Sequence, residues 1–555
     1  MSNIDSHSAL TIDRSPEQTP AGGILSAREE ALFAAEFGTI EQPLTDRDLL
    51  ARFFEAFVDR LPWTAIVGRI HPLFPQRIRN MLFERTFSNR VVRAVQKFGG
   101  SLGASLRSKS RYGWSHLVAQ LESAEVAPLT RALLPALEEL GFRDAQKRYV
   151  DDWIEPCYGP FIAEVNRAER SKTIVFVTSR TDYKPLREAI ALRPLGWRCF
   201  LICLEPLPDS VRPMFEAAFD RVLPLPLQPA LLERLIKRLK PHVFHVHCAM
   251  WHYHLGKVAI DNKGDAICAC EFNDITSFYA DRKVMSDYWS AYIIDRDWAM
   301  ERYICNKADV LVHQWNPGME AHWRATHGGV RRVIEMQPYP VERWVRYADG
   351  RPSQRDGVIR LVWAGQIPGR IACPPVVFDV YYLGEAFLKL LEQGLAIDAY
   401  QNPMFTMNFE DANFEFYRDL AQRFPRFAIK PGVRVDCLPE TLGRYDFGLH
   451  LFALDFSRTS ATWQKNKFLI ANKLCTYLEG GIPIIASKEH DSFAEFIVEN
   501  GFGIALRTSE ISQAMDHIRR FDREAAVERI ERYNRDHTME AQIDRLVAAY
   551  EGAPH

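Results

Sequence analysis

The chain has 555 residues, 47 % hydrophobic and 25 % charged, with a formal charge of −2. That composition fits a folded globular protein of several domains and excludes a disordered chain, a collagen or a disulfide-stapled mini-protein. Near-neutrality excludes nucleic-acid binding by global charge while leaving a local basic patch open, and no apolar run reaches the roughly 18 residues of a membrane span.

Residues 1–40 are polar, rich in Ser, Thr and Pro, and read as a disordered tail. The start, MSNIDSHSAL, lacks a basic and an apolar region of the secretory kind, so a cytoplasmic placement is expected. Cys199, Cys203, Cys268 and Cys270 sit in apolar runs, which fits reduced core thiols. Residues 41–170 form a helical extension, where Leu49, Phe53, Phe57 and Leu61 recur every fourth position. Between Ile66 and Tyr112 there are ten Lys or Arg residues against the single acid Glu84, interleaved with Leu73, Phe74, Met81, Leu82 and Phe87. Two readings stand: a solvated basic face on a packed helical domain, or peripheral contact with an anionic membrane. Nucleic acid is not expected, because no binding motif accompanies the charge.

From about 171 short β-rich runs alternate with amphipathic stretches, the pattern of parallel α/β layers. Strands are predicted at Thr173–Thr178, Arg198–Cys203, Arg221–Leu225, Val243–His247, Ala266–Cys270, Val310–His313 and Val333–Met336. The hydrophilic stretch Arg346–Asp356 reads as a linker. Strands resume at Ile359–Ala364, Ala396–Ala399, Phe427–Ile429, Phe447–Leu451, Ile482–Ala486 and Gly503–Leu506. Helices are predicted at Ile511–Phe521, Arg523–Asn534 and Met539–Tyr550, the last returning to the first domain. The fold class is therefore α/β, with two facing doubly wound Rossmann-like domains at 171–345 and 357–520, the helical extension before them and C-terminal helices at 521–555. Ligands of such sheets sit beyond the carboxyl ends of the strands, which places the site in the shared cleft.

One stretch is distinctive. Asn472-Lys473-Leu474-Cys475-Thr476-Tyr477-Leu478-Glu479-Gly480-Gly481-Ile482-Pro483-Ile484-Ile485-Ala486-Ser487 resembles the nucleotide-sugar signature of two-domain glycosyltransferases with the B-type fold. It is most similar to the retaining, glycogen-synthase and mannosyltransferase-like group (glycosyltransferase family 4-like). Leu361–Ile367 resembles the first strand and glycine turn of that family's donor domain, Leu438–Leu449 the block before the signature, and Ala308–Val312 with Asn316-Pro317-Gly318 the end of the acceptor domain. The resemblance implies transfer of a sugar from a nucleotide-diphosphate sugar to an acceptor hydroxyl, with retention. Domain 171–345 would hold the acceptor (glycan, lipid or protein) and 357–520 the donor. No cofactor beyond the nucleotide-sugar co-substrate is implied. A nucleotide-sugar epimerase and a non-catalytic glycosyltransferase-like binding protein are the alternatives.

The residues of the signature carry their own chemistry. Asn472 is a good helix N-cap and Gly480-Gly481 a good stop, so a helix N-terminus and Lys473 converge on one anion site. Arg370 and Lys467, with Lys465, are further candidates for the donor diphosphate. The resemblance implies a carboxylate on the donor ribose where this chain has Thr476, a weaker hydrogen-bonding partner; Glu479, one turn on, either compensates or faces solvent. Gly365 follows the donor domain's first strand and is expected against the nucleotide.

In the first domain His245 and His247 share one strand face, followed by His252 and His254 in the next helix. No CxxC or HExxH spacing is present, and no metal is expected. His247 at the strand end is expected to contact substrate. Glu271 and Asp274 follow the next strand and are expected at the cleft edge, available to a sugar or an acceptor proton; Asp274 equally fits an N-cap.

Overall fold

The computed structural model describes residues 158–552 apart from short stretches, the longest at 283–290, 370–382 and 452–466. The tail, the helical extension up to residue 157 with its basic segment 66–112, and Arg370 and Lys465 lie outside the described residues.

Thr173–Thr178 (TIVFVT, β1) is buried at all six positions, as expected of a central parallel strand covered on both faces. It pairs in parallel with β2 (Arg198–Cys203) and β4 (Val243–Cys248). With β3 (Arg221–Pro224), β5 (Ile267–Phe272), β6 (Val310–His313) and β7 (Val333–Glu335) the sheet runs β3-β2-β1-β4-β5-β6-β7. The second sheet is built from β8 (Arg360–Ala364), β9 (Ala396–Tyr400), β10 (Phe427–Lys430), β11 (Phe447–His450), β12 (Ile484–Ser487) and β13 (Gly503–Leu506). Its order, β10-β9-β8-β11-β12-β13, repeats the doubly wound plan. Predicted strands and observed ones agree to within two residues at each end.

Side chains alternate between the faces of the first sheet. Val175, Val177, Phe244 and Val246 enter one core; Ile174, Phe176 and Val243 enter the other. Against the second face packs helix α1 (Tyr183–Leu192), capped by Asp182, whose carboxylate accepts from the Lys184 N–H at 3.0 Å. Two later helices complete the frame: α2 (Lys473–Glu479) and α3 (Met539–Tyr550). As expected, α3 crosses back and lies on α1, placing Met539, Ile543, Leu546 and Tyr550 in the core of the first sheet.

The halves also interlock near the cleft. Phe468, from the second half, inserts beside Phe278 and His322 of the first. The Asn316 N–H donates to the Phe468 carbonyl at 2.8 Å. Among the described residues, no helix is long and apolar enough to cross a membrane.

Candidate functional site

At each sheet the strand order reverses between two central strands, β1 and β4 in one half, β8 and β11 in the other. Adjacent loops diverge there and leave a crevice at the carboxyl ends. The two crevices face each other and form one cleft of about 300 Å³. The first half contributes Thr178, Ser179, Asp182, His247, Ala249, Asn273, Asp274 and Gln314; the second contributes His450, Ala471, Asn472 and Lys473.

Lys473 owes its place to Tyr477, one turn later on α2. The Tyr477 hydroxyl donates to the Leu449 carbonyl at 2.8 Å and accepts from the Ala364 N–H at 3.2 Å. It fills the gap where the β8–β11 ladder stops after Val362 and Gly448. Gly448 is needed there, since a Cβ at 448 would lie 2.6 Å from the Tyr477 ring. With α2 so fixed, the Lys473 ammonium lies 3.0 Å from the centroid of the Trp363 ring. Gly365, with φ +136°, lets this happen: a Cβ at 365 would stand 2.8 Å from Lys473 Cε. Burial holds the Lys473 amine well below its usual pKa.

The helix end differs from expectation. Asn472 has helical angles (φ −58°, ψ −22°) and its side chain caps nothing. The helix has only seven residues and no capping side chain, so its end is not the anion site expected of it. The stop is as expected: Gly481, at φ +63°, ends the helix against Tyr347.

Other expected residues are not in the cleft. Glu479 neither compensates for Thr476 nor faces solvent; it is fully buried and gripped by Arg187 of α1, with Arg187 Nη2 3.1 Å from Glu479 Oε2 and a second, closer contact from Nη1. It also accepts from the Val341 N–H at 2.8 Å. Burial pushes its carboxyl pKa up, and Arg187 opposes this. Thr476 is not among the lining residues. Lys467 is exposed, its ammonium 5.5 Å from the Phe468 ring centroid, and does not line the cleft.

On the first side, Asp274 lines the cleft and is partly exposed. Glu271 does not reach the edge. It belongs to β5 itself, is fully buried, and pairs with the Lys184 ammonium. Parallel register sets it beside His247, which is buried but touches the cleft. His254 opens the next helix, whereas His252 lies in the turn before it.

Beneath His247 lies a group of which the sequence analysis named His245, His247 and Glu271 but not Glu188, and which it did not bring together. His245 and His247 stack with centroids 4.9 Å apart, and one ligand atom from each of Glu188, His245, His247 and Glu271 lies within 4.8 Å of the others. Burial drives the Lys184 and histidine pKa values down and that of Glu188 up. The available signal was Lys184 and Glu188 at i and i+4 in a helix beside a strand carrying two histidines. His450 and Gln314 were also missed; each ends or follows a buried strand at its carboxyl end.

No protein-family model matches the chain, and no curated protein does. Many solved structures match, 107 chains in all. Anabaena Alr3699/HepE in complex with UDP and glucose aligns at 10 % identity over 68 % of this chain and 99 % of its own, TM-score 0.50. A sucrose-phosphate synthase (tll1590) from Thermosynechococcus elongatus aligns at 11 % identity over 69 % and 98 %, TM-score 0.47. The likeness to the first of these is one of architecture: this chain has the same plan of two facing, doubly wound Rossmann-like domains, with its cleft at their paired switch points.

Proposed function

We propose that the protein transfers a sugar from a nucleotide-diphosphate sugar, bound by the second half, to an acceptor hydroxyl held by the first. The observation that carries this is Lys473, whose amine is held inside the cleft at the β8–β11 switch point, against Gly365, where an arriving anion favours its charged form. A diphosphate leaving group develops negative charge as its bond to the sugar breaks, and a fixed ammonium stabilises that charge. The likeness in fold to a protein that binds UDP and glucose accords with this reading. Asp274, across the cleft, is placed to orient the acceptor. Retention follows from the resemblance of 472–487 to the retaining group, in which orientation and leaving-group stabilisation dominate.

The test uses the full chain. Nucleoside diphosphates are ranked by thermal shift, and the best ligand is titrated calorimetrically against wild type and Lys473→Ala. A lost charge-assisted contact of about 1.5–3 kcal/mol weakens binding roughly ten- to a hundredfold. Unchanged affinity would place the diphosphate elsewhere. Asp274→Asn should lose transfer while keeping its melting temperature; full transfer would remove Asp274 from the acceptor side. Binding with no turnover of any nucleotide sugar would favour the non-catalytic reading, and a free epimerised sugar nucleotide the epimerase.

A further inference from the structure

We propose that Glu188, His245, His247 and Glu271 bind a divalent transition-metal ion, zinc being the best match, beneath the floor of the cleft. The inference does not depend on the reaction proposed above.

Three observations converge. First, the four side chains come from three separate elements, α1, β4 and β5, and all are at most 2 % exposed. Second, their acceptors are orphaned. Glu188 Oε1 and Oε2, His245 Nε2, both His247 ring nitrogens and Glu271 Oε2 have no hydrogen-bond partner among the described residues. Lys184 is the donor at hand, and one of its protons goes to the Met336 carbonyl at 3.0 Å while it faces Glu271 Oε1. Buried carboxylate and imidazole lone pairs left this way carry a large desolvation cost, which a Lewis acid removes. Third, the spacing fits a coordination shell. Bonds of about 2.0–2.1 Å in a tetrahedron separate neighbouring ligand atoms by roughly 3.3 Å. Here His247 Nδ1 and His245 Nε2 lie 3.2 and 3.5 Å from Glu271 Oε2, and Glu188 brings the fourth ligand atom, all four lying within 4.8 Å of one another.

The surroundings match as well. His245 Nδ1 is 2.8 Å from the Tyr550 hydroxyl, so the ring is anchored there and turns Nε2 toward Glu271. An outer hydrogen bond of this kind fixes the tautomer and orientation of a ligating histidine. Glu271 meets Lys184 through one oxygen and offers the other to the ion. Two imidazoles with two carboxylates select a first-row transition ion over calcium or magnesium, which prefer all-oxygen sites. Four protein ligands close the shell, which is the form of a structural site.

Purified full-length protein is analysed for bound metal by mass spectrometry, then stripped with chelator and titrated with Zn²⁺ and with Co²⁺. The expected result is one equivalent of zinc per chain, a lower melting temperature after stripping, and the intense visible bands of tetrahedral Co²⁺. Glu188→Gln with His247→Asn should abolish them. Because that pair sits in the core, Tyr550→Phe serves as a second variant: it removes only the outer hydrogen bond and should weaken Co²⁺ affinity about 10- to 100-fold. Folded wild-type protein that carries no metal and takes up neither ion overturns the proposal. So does metal binding that is unchanged in both the paired variant and Tyr550→Phe.

Discussion

At the scale of single residues, two buried charges decide what can be changed. Arg187 and Glu479 lie far apart in sequence, and each is the other's charge partner inside the molecule. Removing one member leaves an unpaired ion in the core, at about 3–5 kcal/mol. Arg187→Met should therefore lose about that much stability in chemical denaturation, and adding Glu479→Leu should recover most of it. A single variant as stable as wild type would contradict the pairing. Lys473 is different, because its charge is used only with ligand. Its folded pKa lies well below 10.5, so in the window between that depressed value and 10.5 the free protein holds a neutral amine. An anion favours the charged form and raises the pKa. Binding of a nucleoside diphosphate in that window should take up a proton, seen as an enthalpy that varies with the ionisation enthalpy of the buffer. Lys473→Met should remove the dependence. Of these residues Lys473 was legible from the sequence. Glu479 was misplaced, because nothing in the run TYLEGG tells that a helix nearly 300 positions earlier supplies an arginine.

The elements were far more legible than the charges between them. Strands such as TIVFVT announce themselves by composition, and α3 by its spacing of Ile543, Leu546 and Tyr550. Their destinations follow less directly. Helix α3 buries four large apolar side chains, Met539, Ile543, Leu546 and Tyr550, in the first half. At about 1.5–3 kcal/mol each, their loss rivals the ~5–15 kcal/mol that stabilises a whole domain. A chain ending at His537 should keep a protease-resistant second half and lose protection across β1, β2 and β4. Equal protection in the shortened and full chains would show that α3 is dispensable. The histidine-rich strand shows the limit of local patterns. VFHVHC reads as an alternating strand, and it is one. That both histidines face Glu188 depends on α1 packing over them, which no spacing within the strand encodes.

At the scale of the molecule, the doubled pattern of strand and helix was enough to foresee two facing sheets, because each array repeats the same short-range rules. The cleft follows from topology: both sheets reverse order beside their central strand, so the two openings meet. Of the ways the halves are joined, the pattern foresaw the return of α3 but not the contacts near the cleft. The seam includes Arg187 with Glu479, Phe468 in a pocket of the first half, and α3. Of these, α3 has a consequence for the order of events at the ribosome. Chains emerge from their amino end, and domains commonly close as they appear. Here the earlier Rossmann-like unit waits for the twelve-residue helix Met539–Tyr550, which follows the whole of the later one, before its core is covered, so the unit translated earlier is completed after the later one. A premature stop or a slow codon ahead of that helix would leave the nascent unit open to chaperones, even though the codons for its own sheet had been read without fault.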